Sequence, residues 1–183
     1  AGITVSASFG ARGSDNQIEC LAKNMYFEAR SQGTAGVLAV SAVVLNRVND
    51  PRFPDTICGV VKQGPTRASW INRSKRYPIR NRCQFSWYCD GKSDNPKHET
   101  SYNRMLGFAN SLLNGEIDLL DITDGAQFYH ADYVRPAWAK TKKRTIEIED
   151  HIFYFCGGVY QYPFQNLSSY SGSQDENIHL LLF

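Results

Sequence analysis

The chain lacks the features of several large protein classes. No apolar run in the 183-residue sequence approaches the length of roughly 20 residues that a membrane-spanning helix needs. There is no G-x-S-x-G elbow, no P-loop, no G-x-G-x-x-G turn, and no H-E-x-x-H pair among the four histidines. We therefore expect no membrane span, no cofactor and no catalytic metal. No signal peptide is visible at the start of the sequence, which leaves the export route open.

Cysteine is sparse and odd in number, with five residues at positions 20, 58, 83, 89 and 156. Cys83 and Cys89 could close a small loop around the letters QFSWY, and Cys58 is a competing partner for either. Cys20 and Cys156 have apolar neighbours in sequence and are predicted to be buried thiols. The C-x5-C spacing does not fit a zinc ribbon. The pairing itself stays open.

Net charge is only +2, but the positive charge is concentrated in one stretch. Residues 62–104 contain ten Lys/Arg and three Asp/Glu. This stretch is either an ordinary solvated surface or a face for a polyanion such as nucleic acid or an anionic cell-wall polymer. Charge alone does not distinguish these alternatives.

The first half of the chain has helical periodicity. After a predicted flexible arm over residues 1–13, Ser14 and Gln17 form a potential capping box. The apolar stripe of the first predicted helix follows, formed by Ile18, Leu21, Ala22, Met25 and Ala29. Gly33 is predicted to end this helix. Residues 34–48 are apolar almost all round, which predicts a central buried helix.

The second half of the chain mixes irregular, helical and strand-like segments. A basic, aromatic and irregular region at 65–95 precedes a helix predicted to begin at Asn95 and Pro96. Residues 126–134 and 145–155 alternate like strands, and the second could fold into a hairpin near Glu149 and Asp150. The predicted fold class is α+β, with a mainly helical core and a small β-hairpin element.

Glu28 lies about 20° outside the apolar stripe of the first helix, directly after two aromatic residues. Desolvation there would keep a carboxyl protonated, as an acid that cleaves a glycosidic bond requires. The structural alternative is an ordinary ion pair with Arg30 or Arg47. The letters CQFSWYCDG add aromatic and amide groups of the kind that line sugar clefts.

Three blocks of the sequence resemble the SleB/CwlJ-type cell-wall hydrolase family. The first runs from AKNMYFEAR to FPDTICGVV, the second is QFSWYCDG, and the third comprises GAQFYHADYVRPAW and TIEIEDHIFYF. The resemblance covers about residues 18–156 and implies a lysozyme-like fold acting on peptidoglycan, with Glu28 as the catalytic acid. The basic insert at 65–82, the extra cysteines and the tail after Cys156 depart from the family pattern.

This resemblance implies a lysozyme-like catalytic domain over residues 14–158, followed by an extension at 159–183. The expected reaction is lytic transglycosylation of the MurNAc–GlcNAc bond by Glu28, in a form similar to phage endolysins. Substrate-binding residues are then expected at Gln84, Phe85, Ser86, Trp87, Asp90, Tyr129 and His151. The expected partner is peptidoglycan rather than nucleic acid. The protein is expected to be a monomer that acts at the bacterial cell wall.

Two alternatives to this reaction remain open. In the first, Asp90 activates a water molecule and the enzyme is a hydrolytic muramidase. In the second, the protein is a non-catalytic module that binds the cell wall or nucleic acid through its basic aromatic loop.

Overall fold

A computed structural model describes residues 14–157 of the chain. The predicted N-terminal arm 1–13 and the C-terminal extension 159–183 lie outside the described residues and stay predictions. The described region contains four α-helices, namely α1 (Asp15–Ala29), α2 (Thr34–Val48), α3 (Ile57–Val61) and α4 (Glu99–Leu113). Two short 3-10 helices cover Ser86–Cys89 and Ala137–Thr141.

Five short strands form two antiparallel sheets. The strands are β1 (Thr66–Ala68), β2 (Arg76–Pro78), β3 (Phe128–Ala131), β4 (Lys143–Ile148) and β5 (His151–Phe155). The first two strands pair only with each other, and the other three form a sheet in the order β3-β5-β4. Strands β4 and β5 form the hairpin predicted around Glu149 and Asp150, so that prediction is confirmed.

Helix α2 lies at the centre of the molecule, as its all-round apolar sequence predicts. It contributes Ala42 and Val44 to the main core, which also contains most of the α1 stripe. It contributes Ala39 and Val43 to a second cluster with Phe153 of the three-stranded sheet. The helix therefore connects the helical half of the fold to the sheet. None of the helices in residues 14–157 is long and apolar enough to cross a membrane.

Two predicted helix boundaries and one predicted helix cap are wrong. Helix α1 ends at Ala29, four residues before Gly33, and α4 begins at Glu99 rather than at Asn95. The capping box does not form, because Ser14 makes no side-chain cap and Gln17 accepts a hydrogen bond from the Cys58 N–H instead (3.0 Å). A tertiary hydrogen bond between α1 and α3 thus replaces the predicted local interaction between Gln17 and Ser14.

The structure also resolves the cysteine pairing. Cys83 and Cys89 form the predicted small loop. Cys20, however, is bonded to Cys58, so its prediction as a buried thiol is wrong. The packing of α1 against α3 brings the two residues together over 38 positions of sequence. Cys156 is a free thiol as predicted, although it is half-exposed rather than buried.

Candidate active site

The site centres on Glu28 in the last turn of α1 and Tyr129 in strand β3. The Tyr129 hydroxyl donates a hydrogen bond to Oε2 of the Glu28 carboxyl group at 2.8 Å. Within residues 14–157 the other carboxyl oxygen, Oε1, accepts no hydrogen bond. Both side chains are half-buried. One carboxyl oxygen is therefore fixed by the protein, and the other is available to carry a proton.

The environment of Glu28 favours its protonated form. Burial raises the pKa of Glu28 above its ordinary value, while the Tyr129 hydrogen bond and the positive charge of Arg47 lower it. The net direction is upward because desolvation is the largest effect. Burial and the adjacent carboxyl also raise the pKa of Tyr129 well above its usual range, so its hydroxyl remains a donor at neutral pH.

Arg47 of α2 places a buried positive charge near this pair. Its side chain is 1% exposed, and its Nε donates to the Gln127 carbonyl oxygen at 2.6 Å. Three aromatic rings lie 5.2 to 5.4 Å from the guanidinium carbon, those of Phe53, Phe85 and Phe128. Desolvation lowers the pKa of Arg47 to about 10, which leaves it charged at neutral pH.

The structural alternative for Glu28 is wrong. Among the ion pairs of residues 14–157, none joins Glu28 to Arg30 or Arg47. Arg30 instead donates to the Tyr26 hydroxyl at 2.9 Å. Glu28 is therefore a desolvated acid with a neutral hydrogen-bond donor, rather than half of a salt bridge.

The segment around Trp87 is attached to α1 beside Glu28. Trp87 Nε1 donates to Asn24 Oδ1 at 3.1 Å, one helical turn before Glu28. The Trp87 ring also stacks on Phe27, with centroids 4.7 Å apart. Phe85 and Trp87 are buried, whereas Gln84 and Ser86 alternate with them and are exposed. Contact of these four residues with substrate stays a prediction, and the exposed pair is the better placed for it.

Asp90 lies at the end of the same segment, in a turn. Its Oδ1 accepts the Lys92 N–H at 2.7 Å, and its carbonyl oxygen accepts from Arg80 Nε at 3.0 Å. The next residue, Gly91, has a φ of +81°, which glycine adopts without strain. This geometry is that of an Asx turn, which orders the loop.

His151 packs against Tyr129 from the neighbouring strand. The two rings are edge-on, with centroids 5.1 Å apart, and His151 is 9% exposed. Burial lowers the pKa of His151, although the nearby carboxylates of Asp150, Glu149 and Asp132 act in the opposite direction. A mostly neutral imidazole therefore supports the Tyr129 ring at neutral pH. Its direct contact with a sugar stays a prediction.

Asn24, Arg47 and Gln127 have roles in this site that the sequence did not predict. Each is a polar residue with an almost fully buried side chain, and the first two lie on helices of the main core. A polar residue inside an apolar helical stripe is the signal that could have identified Asn24 and Arg47. In the part of the chain that the structure describes, no group of His, Cys, Asp and Glu is arranged to bind a metal.

Comparison with known protein families gives one match that covers most of the chain. The model described as Cell Wall Hydrolase matches residues 31–154, beginning three positions after Glu28. Among curated proteins, a spore cortex-lytic enzyme of Halalkalibacterium halodurans is 30% identical over 154 residues, which is 84% of this chain and 39% of that protein. One from Bacillus cereus is 30% identical over 76% of this chain and 44% of its own length. The chain thus spans about two fifths of these relatives.

Two solved structures share the fold. The catalytic domain of the Bacillus cereus SleB protein is 27% identical with a TM-score of 0.55, and the match covers 85% of this chain and all of that one. The catalytic domain of the germination-specific lytic transglycosylase SleB from Bacillus anthracis is 28% identical with a TM-score of 0.54, covering 82% of this chain and all of that one. The predicted α+β, lysozyme-like fold is confirmed.

Proposed function

Because the chain belongs to the Cell Wall Hydrolase family, we propose that it cleaves the glycan strands of peptidoglycan, with Glu28 as the catalytic acid. The observation that carries this proposal is the hydrogen bond from Tyr129 to a desolvated Glu28 without an ion-pair partner in residues 14–157. A carboxyl group in this setting retains its proton at a higher pH than a solvated one. Such a proton is what the departure of a sugar oxygen requires.

In the first step, Glu28 donates its proton to the glycosidic oxygen between MurNAc and GlcNAc. The bond between C1 of MurNAc and this oxygen breaks, and GlcNAc leaves with a free 4-hydroxyl. Positive charge develops on the MurNAc ring while Glu28 becomes a carboxylate. The Tyr129 hydroxyl stabilises that carboxylate through the existing hydrogen bond.

In the second step, the Glu28 carboxylate takes the proton of the MurNAc 6-hydroxyl group, and O6 attacks C1. The product is a 1,6-anhydro-MurNAc end, and Glu28 is protonated again without any water being consumed. One carboxyl group therefore suffices for the whole reaction. The description of the Bacillus anthracis relative as a lytic transglycosylase supports this route.

The alternative is a hydrolytic muramidase in which Asp90 activates water. The Asp90 carboxylate already accepts the Lys92 N–H in its turn, which supports a structural role for it. The exposed Gln84 and Ser86 then remain as candidates for binding sugar hydroxyls, and Tyr129 and His151 as the residues that position the acid.

Two disulfides support action outside the reducing cytosol, where peptidoglycan is found. We therefore place the protein at the bacterial cell wall. A monomer is sufficient for the proposed chemistry, since Glu28 and Tyr129 come from the same chain.

The test is digestion of purified peptidoglycan by wild type and Glu28→Gln, followed by mass spectrometry of the released fragments. Gln has the shape of Glu but no proton to donate, so release should fall by about 10² to 10⁴. Glu99→Gln is the matched control, because Glu99 is exposed on α4, and it should retain wild-type activity.

The product mass distinguishes the reaction types. Fragments ending in 1,6-anhydro-MurNAc support the transglycosylase, whereas fragments with a reducing MurNAc end would identify a muramidase. A wild-type protein that binds peptidoglycan but releases nothing would identify a non-catalytic binding module.

A further inference from the structure

The hairpin formed by β1 and β2 presents two large apolar side chains at its tip. Trp70 is 95% exposed and Ile71 is 99% exposed. A single exposed apolar residue is common, whereas contiguous exposed apolar surface, especially when polar residues rim it, is typical of interaction sites. Neither residue belongs to the site around Glu28.

The tip is ordered by its own hydrogen bonds. The Ser69 hydroxyl oxygen accepts the N–H groups of Ile71 (3.2 Å) and Asn72 (3.3 Å), and Asn72 Oδ1 accepts the Ser74 N–H (3.0 Å). The Ser69 N–H donates to the Lys75 carbonyl oxygen at 2.9 Å and closes the loop. The apolar pair is therefore presented by a structured turn, which reduces the entropy lost on binding.

The tip lies within a basic stretch of the sequence that contains no acidic residue. No Asp or Glu occurs between Asp55 and Asp90 in the sequence. All six basic side chains between positions 66 and 82 are exposed, and none of them forms an ion pair in the part of the chain that the structure describes. They are Arg67, Arg73, Lys75, Arg76, Arg80 and Arg82. The surface is complementary to an extended anionic partner.

The base of the hairpin is joined firmly to the domain. The Gln84 N–H donates to the Gln63 carbonyl oxygen at 2.8 Å, and the adjacent Cys83 forms a disulfide with Cys89. Arg80 Nε reaches the Asp90 carbonyl oxygen at 3.0 Å. A partner bound at the tip would thus be connected through a short, braced segment to the edge of the proposed sugar cleft.

We propose that this hairpin binds the surface of an anionic phospholipid bilayer. Trp70 enters the interface, where tryptophan is favoured, and Ile71 reaches the acyl boundary. The surrounding Lys and Arg side chains lie at the level of the lipid phosphates. Ile71 decides between partners, because a sugar polymer or a nucleic acid gives tryptophan a face to stack on but offers an aliphatic side chain almost no apolar surface.

The test is co-sedimentation of the full chain with vesicles made of equal parts phosphatidylglycerol and phosphatidylethanolamine, compared with vesicles of phosphatidylcholine alone. We expect binding to the anionic vesicles that weakens with added salt. The double variant Trp70→Ser with Ile71→Ser should reduce the partition coefficient by about 100-fold or more. Neutralising Arg73 and Lys75 to Gln should reduce it about fivefold for each charge.

The matched control replaces another exposed apolar pair, Tyr133→Ser with Val134→Ser, which are 84% and 40% exposed. It should leave vesicle binding unchanged, and circular dichroism should show that both double variants are folded. The proposal is overturned if the anionic vesicles do not bind, or if the control variant loses binding equally. It is also overturned if Trp70 and Ile71 affect binding to purified peptidoglycan but not to vesicles, since the hairpin would then bind the wall.

Discussion

At the scale of single residues, the hydrogen bond from Tyr129 to Glu28 has two opposed effects. It lowers the pKa of Glu28, whereas burial of the same carboxyl raises it. The bond therefore limits how far the acid is weakened and also stabilises the carboxylate that remains after proton transfer. The same contact fixes the direction of the Glu28 side chain.

Tyr129→Phe should separate these effects. Loss of the hydroxyl removes the contribution that lowers the pKa of Glu28, so the pKa should rise further. The proposed mechanism requires protonated Glu28, so activity should be lost as pH rises through its pKa. The alkaline limb of the pH–rate profile should therefore move to higher pH in the variant. The value of kcat/KM at its pH optimum should fall about tenfold or more, since a hydrogen bond to a charged group is lost.

The measurement is the pH dependence of kcat/KM on soluble glycan fragments. Tyr133→Phe removes a hydroxyl from an exposed ring and should change neither the limb nor the maximum. An alkaline limb that did not move to higher pH in Tyr129→Phe would show that the hydroxyl does not stabilise the Glu28 carboxylate.

At the scale of secondary structure elements, the β4–β5 turn caps the start of α2. Glu149 Oε2 accepts the Gly33 N–H at 2.8 Å, and Oε1 accepts the Gly36 N–H at 3.3 Å. Gln32 Nε2 also donates to Asp150 at 2.9 Å. A negative side chain at a helix N-terminus satisfies free N–H groups and interacts favourably with the helix dipole. This contact links the sheet that carries Tyr129 to the helix that carries Arg47.

Glu149→Ala should lower the free energy of unfolding by about 1–2 kcal/mol, as loss of a helix cap does. Glu149→Gln should cost less than Ala, because its amide oxygen can still accept one of the two hydrogen bonds. The measurement is urea denaturation followed by circular dichroism. Glu147→Ala serves as the control: its exposed pair with Arg144 should contribute under about 1 kcal/mol. Equal losses in Glu147→Ala and Glu149→Ala would contradict the capping role.

The sequence predicts some elements better than others, for a physical reason. Helix α2 and the β4–β5 hairpin were predictable because their apolar periodicity reflects the face that each buries. The β1–β2 hairpin was missed because its strands have three residues each and little buried surface, so no alternation marks them. The prediction of Glu28 as the acid rests on its place beside a stripe and on family resemblance, whereas its hydrogen bond to Tyr129, 101 positions away, depends on tertiary packing.

At the scale of the whole molecule, the two disulfides constrain very different lengths of chain. Cys20–Cys58 joins α1 to α3 across 38 positions, and Cys83–Cys89 closes only six. In the chain-entropy description, a longer closed loop removes more freedom from the unfolded state. The longer bond could not be deduced from the sequence, because it depends on how α3 packs against α1.

Removing the longer bond should therefore destabilise the protein more than removing the shorter one. Cys20→Ala with Cys58→Ala should lower the free energy of unfolding by about 4 kcal/mol, and Cys83→Ala with Cys89→Ala by about 2 kcal/mol. Denaturant titration under oxidising conditions measures both, with Cys156→Ala as the control because Cys156 is the free thiol. Reductant should lower wild-type stability while leaving a variant without either disulfide unchanged. The reverse order of the two losses would mean that the local contacts around Cys83 and Cys89, rather than loop closure, dominate the contribution of the disulfides.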